Sequence, residues 1–151
     1  MNHPNTRYSI FKLSNILFAW DILSIKEVIP LPPVTRIPNV SDRVIGVFNA
    51  RGKILPLIDL RTILKVTSAV PCSTDMVMIL QVNNFFSGIL ISEVITIIEV
   101  EIDKNSPVTT EDDTIDKHLL LHIHTDPDLG KIYLLDRDKI IDLINKPLTE
   151  I

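Results

Sequence analysis

Arg51 is the side chain whose type and setting most clearly suggest a function. It stands in the stretch Asn49–Gly52, between the apolar runs Val44–Phe48 and Ile54–Ile58. Short apolar runs joined by a few residues that include glycine predict a β-hairpin, which places Arg51 at the tip. A planar guanidinium with five donors suits carboxylates and backbone carbonyls. We interpret Arg51 as a recognition residue; the alternatives are a solvated turn residue or an ion pair with Asp59.

Three histidines, His118, His122 and His124, form the one cluster in the sequence that resembles a metal site. On a strand, His122 and His124 would share one face, because side chains alternate along the chain. Their spacing fixes no third ligand, whereas a zinc enzyme needs three protein ligands and an open position. We therefore expect the polar face of an edge strand, and a His-ligated metal-dependent enzyme is the alternative.

Other residues that could carry catalysis lack partners in the sequence. Cys72 is the single cysteine and stands between Pro71 and Ser73, so it has no internal disulfide partner and suits a reducing compartment. The chain contains no Gly-x-Ser-x-Gly elbow and no glycine-rich phosphate loop. The acidic run Glu111–Asp113 lacks the spacing of a calcium loop. We expect no catalytic site, no cofactor and no bound metal.

Composition favours a β-rich protein that stays in the cytoplasm. Of the 151 residues 46% are hydrophobic but only 5% aromatic, so Ile, Leu and Val must form the core, and β-branched residues suit strands. The formal charge of −4 argues against nucleic acid as a partner. No apolar run reaches the ~18 residues that span a bilayer. The polar amino terminus lacks the form of a signal peptide.

The first half of the chain predicts short strands and one helical turn. The segment after Asp21 is ambiguous, because Ile22–Ile29 fits a short helix while Ile25–Ile29 also fits a strand. Asp59 is placed to cap a helical turn with its carboxylate. The predicted elements are a hairpin of Tyr8–Leu13 and Ile16–Trp20 around Ser14-Asn15, a strand at Val34–Ile37, the Arg51 hairpin, and a helical turn at Leu60–Leu64.

The second half repeats this order of short strands followed by a helix, after a change of composition at Val66–Thr74. A polar loop, Asp103–Asp116, interrupts the strands, and the stripe of isoleucines in Asp136–Asn145 predicts a C-terminal helix stopped by Pro147. The predicted strands are Met76–Val82, Phe85–Ile91, Val94–Ile102, Leu119–His124 and Ile132–Leu135. The two halves, about 8–65 and about 75–145, therefore predict two small β-barrels. A barrel of about 60 residues is marginal alone, so we expect them to share apolar surface.

Many of these segments resemble the CheW-like domain, which is found in the coupling protein of bacterial chemosensory arrays and in the CheA histidine kinase. The resemblance covers about Tyr8 to Ile144 and implies one CheW-like domain over residues 1–151. It implies a mainly β fold of two intertwined five-stranded SH3-like β-barrels with short helices, including a C-terminal helix. The matching segments are Asp21-Ile22-Leu23, Glu27-Val28, Val34-Thr35-Arg36-Ile37-Pro38, Gly46-Val47, Asn49-x-Arg51-Gly52, Ile54-x-Pro56 and Ile58-Asp59-Leu60-Arg61.

The same resemblance implies a non-enzymatic adaptor in bacterial chemosensory signal transduction. Its partners would be the cytoplasmic tip of chemoreceptors (methyl-accepting chemotaxis proteins) and the regulatory domain of a CheA-type histidine kinase, with the protein recruited to membrane-associated arrays without inserting into the membrane. The receptor-binding arginine of the family falls on Arg51, and its turn is framed by Asn49 and Gly52. Val34 and Gly46 resemble further positions sensitive to receptor coupling.

The second half departs from the family at two positions. Ser92 stands where the family usually has aspartate, within Gly88–Val94, and His122 stands where the family has glycine. Both lie in the half that resembles the kinase-docking barrel, so the partner kinase stays open. The alternatives are an atypical kinase, the scaffold of a type IV pilus (twitching motility) chemosensory system, or a protein-binding module outside chemotaxis.

Overall fold

The computed structural model describes residues 6–38, 41–66, 72–102, 108 and 115–145, and all statements about the fold refer to them. Two α-helices lie among ten strands: α1 spans Leu60–Leu64 and α2 spans Arg137–Asn145. The strands are β1 Thr6–Leu13, β2 Ile16–Asp21, β3 Ile25–Pro30, β4 Val44–Ala50, β5 Lys53–Ile58, β6 Met76–Val82, β7 Phe85–Ile91, β8 Glu93–Val100, β9 Leu120–Asp126 and β10 Gly130–Leu135.

The strands form two five-stranded sheets with the same internal plan. The first sheet has the order β8-β1-β2-β10-β9 and the second has the order β3-β6-β7-β5-β4. In each sheet two antiparallel hairpins meet along one parallel pair, β2 with β10 and β5 with β7, and a single strand completes one edge. The predicted mainly β fold with two five-stranded SH3-like units is confirmed.

Each sheet takes strands from both halves of the chain. The β1–β2 hairpin pairs with β8 and β10, whereas β3, β4 and β5 join β6 and β7. The predicted division at about 8–65 and about 75–145 therefore does not describe the sheets, because the first hairpin pairs with late strands and not with β3. Residues 67–71, in the middle of the predicted boundary, lie outside the described residues.

The central strands are buried on both faces. In β10, Ile132 and Leu134 enter a cluster inside the first sheet, whereas Tyr133 and Leu135 enter a core shared by the two sheets. The strands β6 and β7 do the same between a cluster inside the second sheet and the shared core. This double burial explains why these strands read as unbroken apolar runs. The shared core makes the sheets one packed unit.

The local signals at chain turns agree with the structure. The predicted Ser14-Asn15 turn is confirmed, and a second two-residue turn at Asn83-Asn84 joins β6 to β7. Asn15 and Asn83 take the positive φ that asparagine tolerates. The Asp59 carboxylate accepts a hydrogen bond from the Arg61 amide and caps α1 as expected. In α2 the predicted stripe is confirmed, because its isoleucines pack on the shared core. No helix among the described residues is long and apolar enough to cross a membrane.

The segment after Asp21 is extended and not a regular α-helix. Asp21 caps one 3₁₀ turn, Ile22–Ser24, and β3 begins at Ile25. The Trp20 indole donates a buried hydrogen bond of 2.6 Å to the Ser24 hydroxyl, which ends the turn against the shared core. Pairing of β3 with β6 then decides in favour of the strand.

The edges of the second sheet are joined by one backbone pair. Beyond β3, Thr35 and Val47 of β4 exchange N–H···O bonds of 2.9 and 2.8 Å. Because β3 and β4 are the two edge strands, this pair brings opposite edges together and closes the sheet around its apolar cluster. The predicted strand Val34–Ile37 is not a regular strand, and this bridge at Thr35 is the strand-like pairing found there.

Replacement of Gly88 tests the packing inside the second sheet. A Cβ there would lie 2.5 Å from two ring carbons of Phe48 and 2.8 Å from a Val77 methyl. We expect Gly88→Ala to lower the free energy of unfolding by about 1–3 kcal/mol, as overpacking does, in urea titrations. The double variant Gly88→Ala/Phe48→Leu should cost less than the sum of the single changes. Strictly additive costs would contradict this packing.

Candidate functional site

The hairpin tip that carries Arg51 is a two-residue turn. Ala50 pairs with Lys53, so only Arg51 and Gly52 lie between the strands, and both have positive φ, of 52° and 84°. This is the backbone that matches the twist of a tight hairpin. The Asn49 Oδ1 atom accepts a 3.0 Å hydrogen bond from the Gly52 amide. Asn49 and Gly52 therefore fix the turn, as their framing position implied.

The Arg51 guanidinium is exposed and held from one side. Its side chain is 82% exposed, and one Nη donates to Glu27 Oε2 at 2.9 Å. Exposed ion pairs contribute about 0–1 kcal/mol, so Glu27 orients the guanidinium more than it stabilises the fold. The alternative pairing with Asp59 is wrong, because Asp59 forms a buried ion pair with Arg61.

Val34 and Gly46 lie together, away from the hairpin tip. A Cβ on Gly46 would meet the Thr35 carbonyl oxygen at 2.4 Å and a Val34 methyl at 2.8 Å, so glycine is required where the closing segment crosses β4. Arg51 is five residues further along the hairpin, about 16 Å away at the rise of an extended strand. The structure thus places the five predicted site residues in two groups, one at the hairpin tip and one where the closing segment crosses β4.

Four residues that surround the tip were given no role from the sequence. Glu27 belongs to a matching segment, but nothing in its spacing indicated a contact with Arg51. The ammonium groups of Lys26 and Lys53 lie 5.1 and 4.1 Å from the centroid of the Phe86 ring. A β-bulge at Lys26, where Ile25 pairs with Leu80 and Glu27 with Ile79, has no signature that could have revealed it.

The residues considered for chemistry lie apart from this site. His118 is in a 3₁₀ turn, and His122 and His124 are in the edge strand β9. Among the described residues, no three His, Cys, Asp or Glu side chains are grouped so that they could hold a metal ion. Cys72 is exposed, and a hydrogen bond with the Thr74 hydroxyl lowers the pKa of its thiol.

The two departures from the family pattern occupy different places. Ser92 forms the bend between β7 and β8, where its amide donates to the Lys12 carbonyl oxygen at 2.8 Å. His122 lies in β9 opposite Leu134 and is half-buried. Ser92 therefore lies where the chain passes from the second sheet to the first.

Comparison with known proteins agrees with this fold. The family model described as CheW-like domain matches residues 7–145. The chain belongs to the CheW-like family. CheW-family proteins are scaffolds and adaptors of chemotaxis signalling and not enzymes, so the alternative of a metal-dependent enzyme is not supported.

Individual relatives are similar over most of their length. A probable chemotaxis protein CheW of Rhizobium etli is 29% identical over 114 residues, 74% of each chain. The chemotaxis protein CheW of Treponema pallidum is 32% identical over 112 residues, 71% of this chain and 66% of that protein. The crystal structure of the scaffolding protein TtCheW from Thermoanaerobacter tengcongensis superposes with a TM-score of 0.73 at 25% identity, covering 91% of this chain and 87% of that one.

Replacement of Gly46 tests the closing contact beside the site. We expect Gly46→Ala to lower the free energy of unfolding by about 1–3 kcal/mol in urea, because the nearest atom is a backbone oxygen that cannot rotate away. Adding Val34→Ala removes a side-chain neighbour but leaves the contact with the Thr35 backbone, so it should restore little of the lost stability. Full recovery in the Gly46→Ala/Val34→Ala protein would mean that the backbone contact is not limiting.

Proposed function

We propose that this protein couples the cytoplasmic tips of chemoreceptors to the regulatory domain of a CheA-type histidine kinase. In this role it binds receptors through the hairpin tip at Arg51, supported by Asn49 and Gly52. Val34 forms a second contact away from the tip, and the buried Gly46 supports it by letting the chain at Val34 and Thr35 cross β4 closely. It acts at the cytoplasmic face of membrane-associated receptor arrays without inserting into the bilayer. The names of its relatives favour chemotaxis over the pilus alternative.

The observation that carries the proposal is the presentation of Arg51. Its guanidinium is largely exposed, yet the turn is fixed by the Asn49 hydrogen bond and the side chain is oriented by Glu27. An arginine held in this way loses little freedom when a partner carboxylate or carbonyl binds, and its fork accommodates two bonds at once. Arginine is also among the residues that dominate the energy of protein interfaces.

A packed scaffold suits a coupling role. The shared core joins both sheets, so a receptor bound at the hairpin and a kinase bound elsewhere would contact one packed unit. A ligand shifts the equilibrium between two states only through a difference in its affinity for them. Signal transfer would therefore come from differential contact with two kinase states, and no chemistry by this protein is needed.

Charge reversal at Arg51 tests the receptor contact. In sedimentation with washed membranes that carry the organism's own chemoreceptors, we expect Arg51→Glu to weaken binding by about 30-fold or more, as for an interface arginine worth about 2 kcal/mol. Arg51→Asn removes the cation but tolerates the left-handed turn, so it should also bind weakly while keeping the wild-type unfolding midpoint.

Arg7→Glu is the matched control, because it makes the same charge change at an exposed position of β1 in the first sheet. It should bind like the wild type. Mass spectrometry of the captured membrane proteins should identify methyl-accepting chemotaxis proteins. Unchanged binding by both folded Arg51 variants, or equal loss with Arg7→Glu, would refute a specific receptor contact at Arg51.

A further inference from the structure

Two lysines lie over one aromatic ring beside the Arg51 turn. The ammonium nitrogens of Lys26 and Lys53 are 5.1 and 4.1 Å from the same Phe86 centroid, so they are within about 9 Å of each other. Arg51 is two residues before Lys53, and its partner Glu27 directly follows Lys26. We call Lys26, Arg51 and Lys53 the basic rim.

The fold builds this arrangement from three strands. In β5, Lys53 lies on the same face as Leu55 and Leu57, which pack in the cluster inside the second sheet. The aliphatic part of its side chain therefore starts on the inner face, at the end of that cluster. Phe86 packs against the same cluster from β7. Lys26 is the extra residue of the bulge in β3, and a bulge redirects a side chain that would otherwise face the opposite side.

The basic rim carries uncompensated positive charge. Neither lysine forms an ion pair within the described part of the chain, and both are exposed. Glu27 is the partner of Arg51, so three cations accompany one carboxylate, on a protein whose formal charge is −4. The electron-rich faces of an aromatic ring attract ammonium groups, so Phe86 gives both lysines a favourable neighbour that does not cancel their charge.

We propose that the basic rim selects an acidic segment of the receptor tip, with Lys26 and Lys53 acting as specificity-determining residues around the Arg51 contact. This inference rests on the proposed receptor-binding function and names the chemistry of the partner: carboxylate side chains presented together. Lysine is a compact charge that meets carboxylates without the directional demands of arginine. The pair therefore tunes attraction and association rate, while Arg51 anchors the complex.

Neutralising both lysines tests the inference. In the same receptor-membrane sedimentation, Lys26→Gln/Lys53→Gln should weaken binding about fivefold to tenfold at low salt and flatten the decline of affinity with added salt. Lys131→Gln/Lys139→Gln, which makes the same charge change at exposed positions of β10 and α2, should behave like the wild type. Lys26→Arg/Lys53→Arg keeps both charges and should retain binding.

Carbodiimide cross-linking identifies the partner group directly, because it joins an amine only to a carboxylate in contact with it. In the wild type, mass spectrometry should find Lys26 or Lys53 linked to aspartate or glutamate of a chemoreceptor. The Lys26→Arg/Lys53→Arg protein should still bind receptor membranes but lose these links, since it has no amine at either position.

The outcomes separate this inference from the proposed function. If Arg51→Glu abolishes receptor binding while Lys26→Gln/Lys53→Gln binds like the wild type, the receptor contact stands and the acidic partner is wrong. If the lysine pair is needed only for binding to protein-free vesicles of lipids extracted from the same membranes, the basic rim faces anionic lipid and the inference is overturned. If Arg51→Glu and Lys26→Gln/Lys53→Gln both bind receptor membranes like the wild type, the inference and the proposed function are both overturned.

Discussion

The backbone pair between Thr35 and Val47 is the contact on which the site depends. It links the segment that follows β3 to β4 and so brings the two edges of the second sheet together, with Glu27 of β3 within hydrogen-bond distance of Arg51 just beyond β4. An open five-stranded sheet would leave these strands at opposite edges. The close crossing at Gly46 shows how tightly the connection is built, because no side chain beyond hydrogen fits beneath the Thr35 carbonyl. Closure thus holds the exposed guanidinium of Arg51 in a defined position on the surface.

Burial explains why the Arg51 hairpin is held rigidly. The strands β6 and β7 have one face in the cluster inside the second sheet and the other in the core shared with the first sheet, α1 and α2. In β5, Leu55 and Leu57 enter the same cluster, and Ile58 at the end of the strand enters the shared core. Motion of the Arg51 hairpin relative to the first sheet would disturb the close-packed Leu55, Leu57 and Ile58 of β5, and such interiors transmit strain well. The same architecture leaves the polar chemistry at the surface, on turns and strand ends, which suits a protein that acts by contact with other proteins.

The sequence predicted the local structure well and the long-range contacts poorly. Hairpins, turns and the Asp59 cap follow from signals within a few residues, and they appear where expected. The intertwining of the sheets was implied by the family resemblance and not by these local signals, because pairing of β1 with β8 is a choice among distant apolar strands with similar patterns. Arg51 could be singled out because glycine and asparagine mark its turn. Glu27, Lys26 and Phe86 could not, since their proximity depends on closure and on a bulge that leaves no trace in composition.

Amide hydrogen exchange of the free wild-type protein tests the closure most directly. Thr35 and Val47 each donate one of the two closing bonds, so both amides should exchange slowly, with protection approaching that of the central β6–β7 pair. Protection at the level of a solvent-exposed edge strand would mean that the second sheet is open in solution. In that case Glu27 would not hold Arg51 before a partner arrives, and the account of a preformed binding tip would be wrong.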